Sequence, residues 1–100
     1  MIARTWHGTT DSRHADAYVR HLREHTFPAL ASMTGHRGGY VLRRASGDSV
    51  EFTVITLWDS LDAIRHFAGE DLEAAVVPAA AAALLASHDT RAAHWEVALS

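Results

Sequence analysis

Hydrophobic and polar residues alternate in some stretches of the chain and recur at helical spacing in others. Alternation predicts strands in residues 50–58 and 92–99. Residues 2–8 are predicted to form a strand because Gly8 and the turn residues "TTDS" bound them, and residues 40–45 because they flank a short turn together with 50–58. From Asp11 onward, apolar residues share one face at a spacing of about 3.6 residues, with charged residues opposite. This pattern predicts an amphipathic helix that ends near Thr26, because Pro28 disfavours helical geometry at Phe27.

The second half of the chain contains local signals for turns and helix ends. The sequence "SGD" between residues 45 and 49 is typical of the turn of an antiparallel hairpin. Asp59 or Ser60 is suited to cap a helix that Gly69 would end. A further short helix is predicted over residues 70–77, and the alanine run 79–83 is predicted to form a packed helix.

The order of these elements predicts the fold class. Strand, helix, strand, strand, helices and strand make an α+β, ferredoxin-like βαββαβ domain, with helices on one face of a four-stranded antiparallel sheet. Neither a linker nor a repeat divides residues 1–100, so we expect a single domain. Strand 50–58 has apolar residues on both faces, including Ile55 and Leu57 on the second. That pattern predicts a homodimer in which two sheets pack face to face.

Composition excludes several classes of function. The chain has 100 residues, a net charge of −3 and no cysteine, and all nine of its basic residues are arginine. There is no basic surface for nucleic acid, no thiol chemistry and no lysine Schiff base. No stretch resembles a signal peptide or a membrane span, so we expect no membrane partner and a cytoplasmic location.

Four segments together resemble the antibiotic biosynthesis monooxygenase domain family of the dimeric α/β-barrel superfamily. They are "MIARTWHG", "GHRGGYVLRR", "VITLWDSLDAIRHFAGEDLEAAVVP" and "HWEV". The resemblance implies a homodimer with a cavity between sheet and helices in each subunit. It also implies an oxidoreductase that oxygenates aromatic, polyketide-like molecules without metal or flavin, although some relatives degrade haem.

The resemblance also carries over to single residues. The family tryptophan that shapes the substrate pocket falls on Trp58, whereas the asparagine four residues before it is Val54 here. In haem-degrading relatives, the positions of a tryptophan and of the iron-ligating histidine correspond to Phe67 and Val77, and a strand-one asparagine corresponds roughly to His7. The resemblance thus favours an aromatic ligand over haem.

Aromatic residues are the candidates for the pocket wall. Trp58 stands where a strand becomes a helix, so it could seal the core or line a pocket, and both could hold. Phe67 lies on the apolar face of the next helix. Trp6 and His7 must point to opposite faces of the first strand, and the sequence does not tell which one faces the helices. We expect Trp58, Phe67 and Trp6 to contact a small apolar or aromatic ligand.

A polar stripe on the first helix supplies candidates for proton transfer. His14, Tyr18, His21 and His25 are spaced four, three and four residues apart, beside the apolar face. The stripe could be a solvated helix edge, or His21 and His25 could bind a metal ion, or the stripe could border the cavity. In the last case Tyr18, His21 and His25 would be the catalytic residues.

The sequence leaves two functions open. One is a cofactor-independent monooxygenase acting on an aromatic or polyketide-like molecule, with no cofactor and no metal. The other is a dimeric protein that binds a small molecule without turning it over, which Val54 at the family's polar position favours. Haem degradation is a third possibility, disfavoured because Val77 stands where haem-degrading relatives carry the histidine that binds iron.

Overall fold

The computed structural model describes all residues, 1–100, and contains five strands and four α-helices. The strands are β1 (Ile2–Asp11), β2 (His36–Ser46), β3 (Ser49–Trp58), β4 (Ser87–His88) and β5 (Ala93–Glu96). The helices are α1 (Ala15–His21), α2 (Phe27–Ala31), α3 (Leu61–Ala68) and α4 (Ala79–Ala82). A 3-10 turn, Ser12–His14, precedes α1, and a π-helical segment, Leu22–Thr26, joins α1 to α2.

The strands form one antiparallel sheet in the order β2-β3-β1-β4, with β5 also paired to β1. Because β3 occupies one edge of β1 along its whole length, β4 and β5 share the other edge. This is the strand order of a ferredoxin-like fold, so the predicted fold class is confirmed. None of the helices is long and apolar enough to cross a lipid bilayer.

The predicted hairpin and the predicted ends of α3 are confirmed. Strands β2 and β3 are joined at Gly47 and Asp48, and Gly47 has the positive φ of 62° that such a turn requires. The Ser60 hydroxyl accepts a hydrogen bond from the Ala63 N–H at 3.2 Å and so caps α3. Gly69 ends that helix with φ of 87°.

The predicted end of the first helix was wrong. Helical structure continues past Thr26 to Ala31, with the π-helical segment in between. A π-turn inserts one residue into the hydrogen-bond ladder, and Pro28 then falls in the first turn of α2, where its missing N–H costs little. The proline therefore starts a new helical register and does not end the helix.

The helix predicted over residues 70–77 does not form. Residues 70–78, which we call the strap, run without a helix between α3 and α4. The Arg4 guanidinium donates to the carbonyls of Leu72 and Ala74, and the Ala75 N–H donates to the Thr90 carbonyl at 3.0 Å. These contacts use the backbone groups that a helix would need. The alanine run does form α4, in which Ala81 is the buried residue.

The predicted last strand, 92–99, is shorter in the structure, where β5 covers Ala93–Glu96. The two-residue β4 precedes the predicted strand, and residues 90–92 contact the strap. There the Ala92 N–H donates to the Glu73 carbonyl at 2.7 Å, and Arg91 pairs with Asp71 at 2.8 Å. The first strand is longer than predicted, because β1 continues to Asp11 opposite the whole of β3.

The core consists of two clusters between the sheet and the helices. One contains Ala15, Tyr18, Leu22, Phe52 and Ala81, and the other contains Leu30, Trp58 and Ile64. Trp58 is fully buried, and its indole N–H donates to the Thr56 hydroxyl at 2.9 Å. Trp58 therefore seals the core where β3 meets α3.

Candidate functional site

A cavity of about 70 Å³ lies between the two core clusters. Nine of its thirteen lining residues are hydrophobic. The sheet contributes Arg4, Trp6, Val54 and Thr56; the helical segments contribute Tyr18, Leu22, Thr26, Leu30, Phe67 and Ala81; the strap contributes Val76, Val77 and Pro78. Neither a histidine nor a carboxylate lies on this wall. The cavity therefore offers apolar contact and hydrogen-bond donors, but no general base.

The cavity is small for a ligand site. Pockets for organic ligands usually have about 300–1,000 Å³, and a dry cavity of about 150 Å³ accommodates benzene. An aromatic ligand therefore requires the walls to move apart. The strap is the wall best able to do so, because Val76 and Val77 make no backbone hydrogen bonds.

Arg4 is the charged residue of the wall. Alternation along β1 directs it to the helix side of the sheet, where 5% of its surface remains exposed. Its guanidinium donates to the Leu72 carbonyl, to the Ala74 carbonyl at 2.7 Å and to His94 Nε2 at 2.7 Å. Burial lowers the pKa of Arg4, although a guanidinium stays charged at neutral pH. Arg4 thus joins the strap to β5 beneath the cavity.

Arg4, Phe67 and Trp58 form a stack. The guanidinium carbon lies 5.5 Å from the centre of the Phe67 ring, within the range of a cation–π contact. Phe67 in turn stacks on Trp58, with ring centres 5.8 Å apart and planes 28° apart. Phe67 is on the cavity wall, whereas Trp58 is not among the lining residues. The tryptophan therefore supports the wall from behind.

Tyr18 brings a hydroxyl to the cavity. Its side chain is 2% exposed, and the ring packs edge to face against Phe52 at 4.9 Å. Burial raises the pKa of Tyr18 to about 12. The phenol therefore stays protonated at neutral pH and is suited to donate a hydrogen bond.

The other residues of the helical stripe lie outside the cavity. His21 and His25 approach each other, with ring centres 5.3 Å apart, but neither lines the wall. His21 Nε2 is buried without a hydrogen-bond partner, and His25 is exposed. The structure contains no group of three histidine or carboxylate side chains that could hold a metal ion. His14 is exposed as well.

The first strand places its tryptophan on the cavity side. Trp6 lines the wall, and its indole N–H donates to the Asp89 carbonyl at 2.9 Å. His7 lies on the opposite face and donates to the Asp89 carboxylate at 3.2 Å. The structure thus brings Trp6, Tyr18 and Phe67 together around one cavity.

Sequence reasoning missed Arg4. The signal was present, because Arg4 and Trp6 are two residues apart in a strand and must share a face. It also missed His94, whose pKa is lowered by burial and further by the charge of Arg4. A neutral His94 can accept the hydrogen bond that Arg4 donates.

Several solved structures resemble the chain, and two of them match it over its whole length. One is a mutant of MhuD with two manganese protoporphyrin IX molecules bound per active site; it has a TM-score of 0.62 and 20% identity, and the match covers 100% of this chain and 97% of that one. The other is the haem degrader MhuD of Mycobacterium tuberculosis with two haems bound in its active site, at a TM-score of 0.61 and 19% identity, covering 100% and 98%. Neither a family model nor a curated protein sequence matches the chain. At these identities the likeness establishes a shared fold.

Proposed function

We propose that the chain is a cofactor-independent monooxygenase of aromatic, polyketide-like molecules and belongs to the antibiotic biosynthesis monooxygenase family. The observation that carries the proposal is the cavity itself, where Trp6 and Phe67 provide aromatic walls and Arg4 and Tyr18 provide donors. The fold shared with MhuD, whose structures hold porphyrins in the active site, supports a ligand site between sheet and helices.

The proposed chemistry converts a ring CH₂ next to a phenol into a carbonyl. The substrate gives up a proton to solvent, with His21 or His25 as the candidate carrier, and the resulting carbanion transfers one electron to O₂. Recombination of the two radicals forms a carbon–oxygen bond, and the peroxide anion takes up a proton from solvent and then loses water. One oxygen atom ends in the new carbonyl and the other in water, so O₂ accepts all four electrons that the substrate gives up.

The residues of the wall would stabilise the anion in this scheme. Arg4 and Tyr18 donate hydrogen bonds to the substrate oxygen, and a donor that strengthens as charge develops lowers the barrier. Trp6 and Phe67 hold the ring and exclude water, with Trp58 behind Phe67. His21 and His25 remain candidates for proton exchange with solvent, but their position outside the wall weakens that part of the proposal.

Oxygen consumption tests the proposal. Purified protein treated with a chelator is mixed with a panel of hydroxylated anthrones and naphthols, and uptake is followed with an electrode. We expect uptake to survive chelation and to fall at least tenfold in Tyr18→Phe, since one hydrogen bond to a developing charge is worth about 1.5–3 kcal/mol. A His25→Ala variant with unchanged uptake would remove His25 from the scheme.

A non-catalytic binding protein is the second candidate. It is favoured by the absence of carboxylate and imidazole groups from the wall and by Val54 at the family's polar position. In that case the same panel would raise the melting temperature of the protein without any oxygen uptake. Both functions use one cavity, so the two measurements separate them.

Haem degradation is the third candidate, because the resembling structures contain porphyrin. The cavity wall does not fit an iron porphyrin well, since Val77 lies on it and no histidine, cysteine or methionine does. Tyr18 is the one wall residue of a type that can bind haem iron, and its buried phenol stays protonated at neutral pH. Haemin added to the protein would give no shift of its Soret band if this candidate is wrong.

We also propose that two copies associate through the uncovered face of the sheet and that the protein is cytoplasmic. Tyr40, Leu42 and Trp95 are 63%, 50% and 59% exposed on β2 and β5. Large apolar side chains on one uncovered face are typical of an interface. The homodimer would cover this face and leave the cavity on the other side of the sheet.

A further inference from the structure

Arg4 is a buried cation without a carboxylate partner. None of the ion pairs in the structure includes it. Its protein partners are two carbonyls and the neutral ring of His94. Of the three carboxylates of the strap, Asp71 and Glu73 contact Arg91, at 2.8 and 3.5 Å, and Glu70 is in no ion pair. A buried charge with only neutral partners is costly, and an anion brought to it recovers much of that cost.

Two N–H groups of the Arg4 guanidinium have no protein partner. Arginine carries five N–H groups, and three are used by Leu72, Ala74 and His94. The Nε–H and one N–H on Nη2 remain without a protein partner. Arg4 lines the cavity and lies over the Phe67 ring, so a flat ligand that contacts Phe67 comes within reach of these donors.

We infer that the cavity selects a flat aromatic ligand carrying an anionic oxygen, a phenolate or a carboxylate, which Arg4 binds through its free N–H groups. The inference deepens the proposed function and rests on the same cavity. The remainder of the wall fits such a ligand, because it supplies hydrocarbon surface for the ring and the Tyr18 hydroxyl as a second donor. No acidic side chain on the wall would repel the anion.

Benzoate and benzamide give a direct test, because they have nearly the same shape and differ in charge. Isothermal titration of the wild-type protein should show benzoate binding about tenfold or more tighter than benzamide, as expected for a charge-assisted hydrogen bond. In a separate experiment, protein is added to 4-nitrophenol at a pH near the pKa of this phenol. Binding of the anion should increase the visible absorption band of the phenolate. Comparing the two probes shows whether the site favours a carboxylate or a phenolate.

Variants assign the preference to Arg4. Arg4→Gln should bind benzoate and benzamide equally, and Arg4→Lys should keep part of the preference because it keeps the charge. Arg65→Gln, on the exposed side of α3, is the matched control and should behave as wild type. If Arg4→Gln does not fold, the wild-type ratio and Arg4→Lys still decide the question.

Equal binding of benzoate and benzamide by the wild-type protein, together with no gain of the phenolate band, would overturn the inference. So would the absence of measurable binding of all three probes. Benzoate cannot undergo the proposed oxygenation, so its binding is measured independently of turnover. A preference for benzoate together with no oxygen uptake on the anthrone and naphthol panel would contradict the proposed enzyme and leave this inference standing. Oxygen uptake on that panel together with equal binding of benzoate and benzamide would support the proposed enzyme and contradict this inference.

Discussion

Filling the cavity should stabilise the protein and abolish its binding of ligands. Ala81 on α4 and Val54 on β3 both line the cavity, and they enter it from different elements. We propose Ala81→Leu and Val54→Ile as the two substitutions. Each adds hydrocarbon to a space that now lacks contacts, so dispersion contacts and buried apolar surface both increase.

The size of the effect follows from the cavity. Core cavities cost about 24 cal/mol per Å³, so the volume of about 70 Å³ corresponds to an upper limit of about 1.7 kcal/mol. Val54→Ile adds one methylene, worth about 0.8 kcal/mol. For a domain of this length, about 1 kcal/mol raises the melting temperature by about 4–8 °C. We therefore expect increases of up to about 14 °C.

Thermal unfolding followed by circular dichroism, and titration with a naphthol, measure the two effects. Ala82→Leu is the matched control, because Ala82 lies on the exposed side of the same helix. It should change neither property appreciably. If both cavity variants unfold at a lower temperature than the wild-type protein, the cavity does not exist in solution. If they are stabilised but bind naphthol as before, the ligand binds elsewhere.

Three further predictions concern pH, the hairpin and the sheet surface. Burial lowers the pKa of His94 in the folded protein, so the unfolded chain binds a proton there more readily. The free energy of unfolding should therefore be highest above pH 6.5 and fall below it. Urea denaturation of His94→Gln should show a smaller fall. Gly39→Ala should lower the free energy of unfolding by about 3 kcal/mol in the same assay, because its Cβ would lie 2.0 Å from the Ile55 carbonyl oxygen. The Cβ of Gly47→Ala would meet no atom within 4 Å, so that variant should lose about 1 kcal/mol from its positive φ alone. Leu42→Glu should yield monomers by light scattering while Leu61→Glu on α3 does not, and a monomeric wild type would contradict the proposed dimer.

Local rules predicted those parts of the fold whose conformation is set by neighbouring residues. The turn at Gly47, the cap at Ser60 and the end of α3 at Gly69 each depend on chemistry within a few residues, which the sequence displays directly. The sheet order followed from the sequence of elements, because few topologies accommodate that order.

The strap and most of the site depend on contacts between distant residues. The helical pattern of residues 70–77 is overridden by Arg4, which lies 68 positions before Leu72 in the chain. The spacing of apolar residues within 70–77 carries no information about that contact. The placement of Trp6 on the cavity side likewise follows from which face the helices cover, and alternation alone leaves both faces equivalent.

The gap between β4 and β5 affects one edge of the sheet. An exposed edge strand can pair with the edge of another molecule and so begin a fibril. On one side the ladder is interrupted at residues 89–92, which leaves only two and four residues in a row available for pairing. On the other side, β2 carries arginines held in ion pairs with Asp59, Asp16 and Glu51. Both edges are thus poor templates for strand addition, and at high concentration the chain should resist cross-β aggregation even though it exposes apolar residues on the face between them.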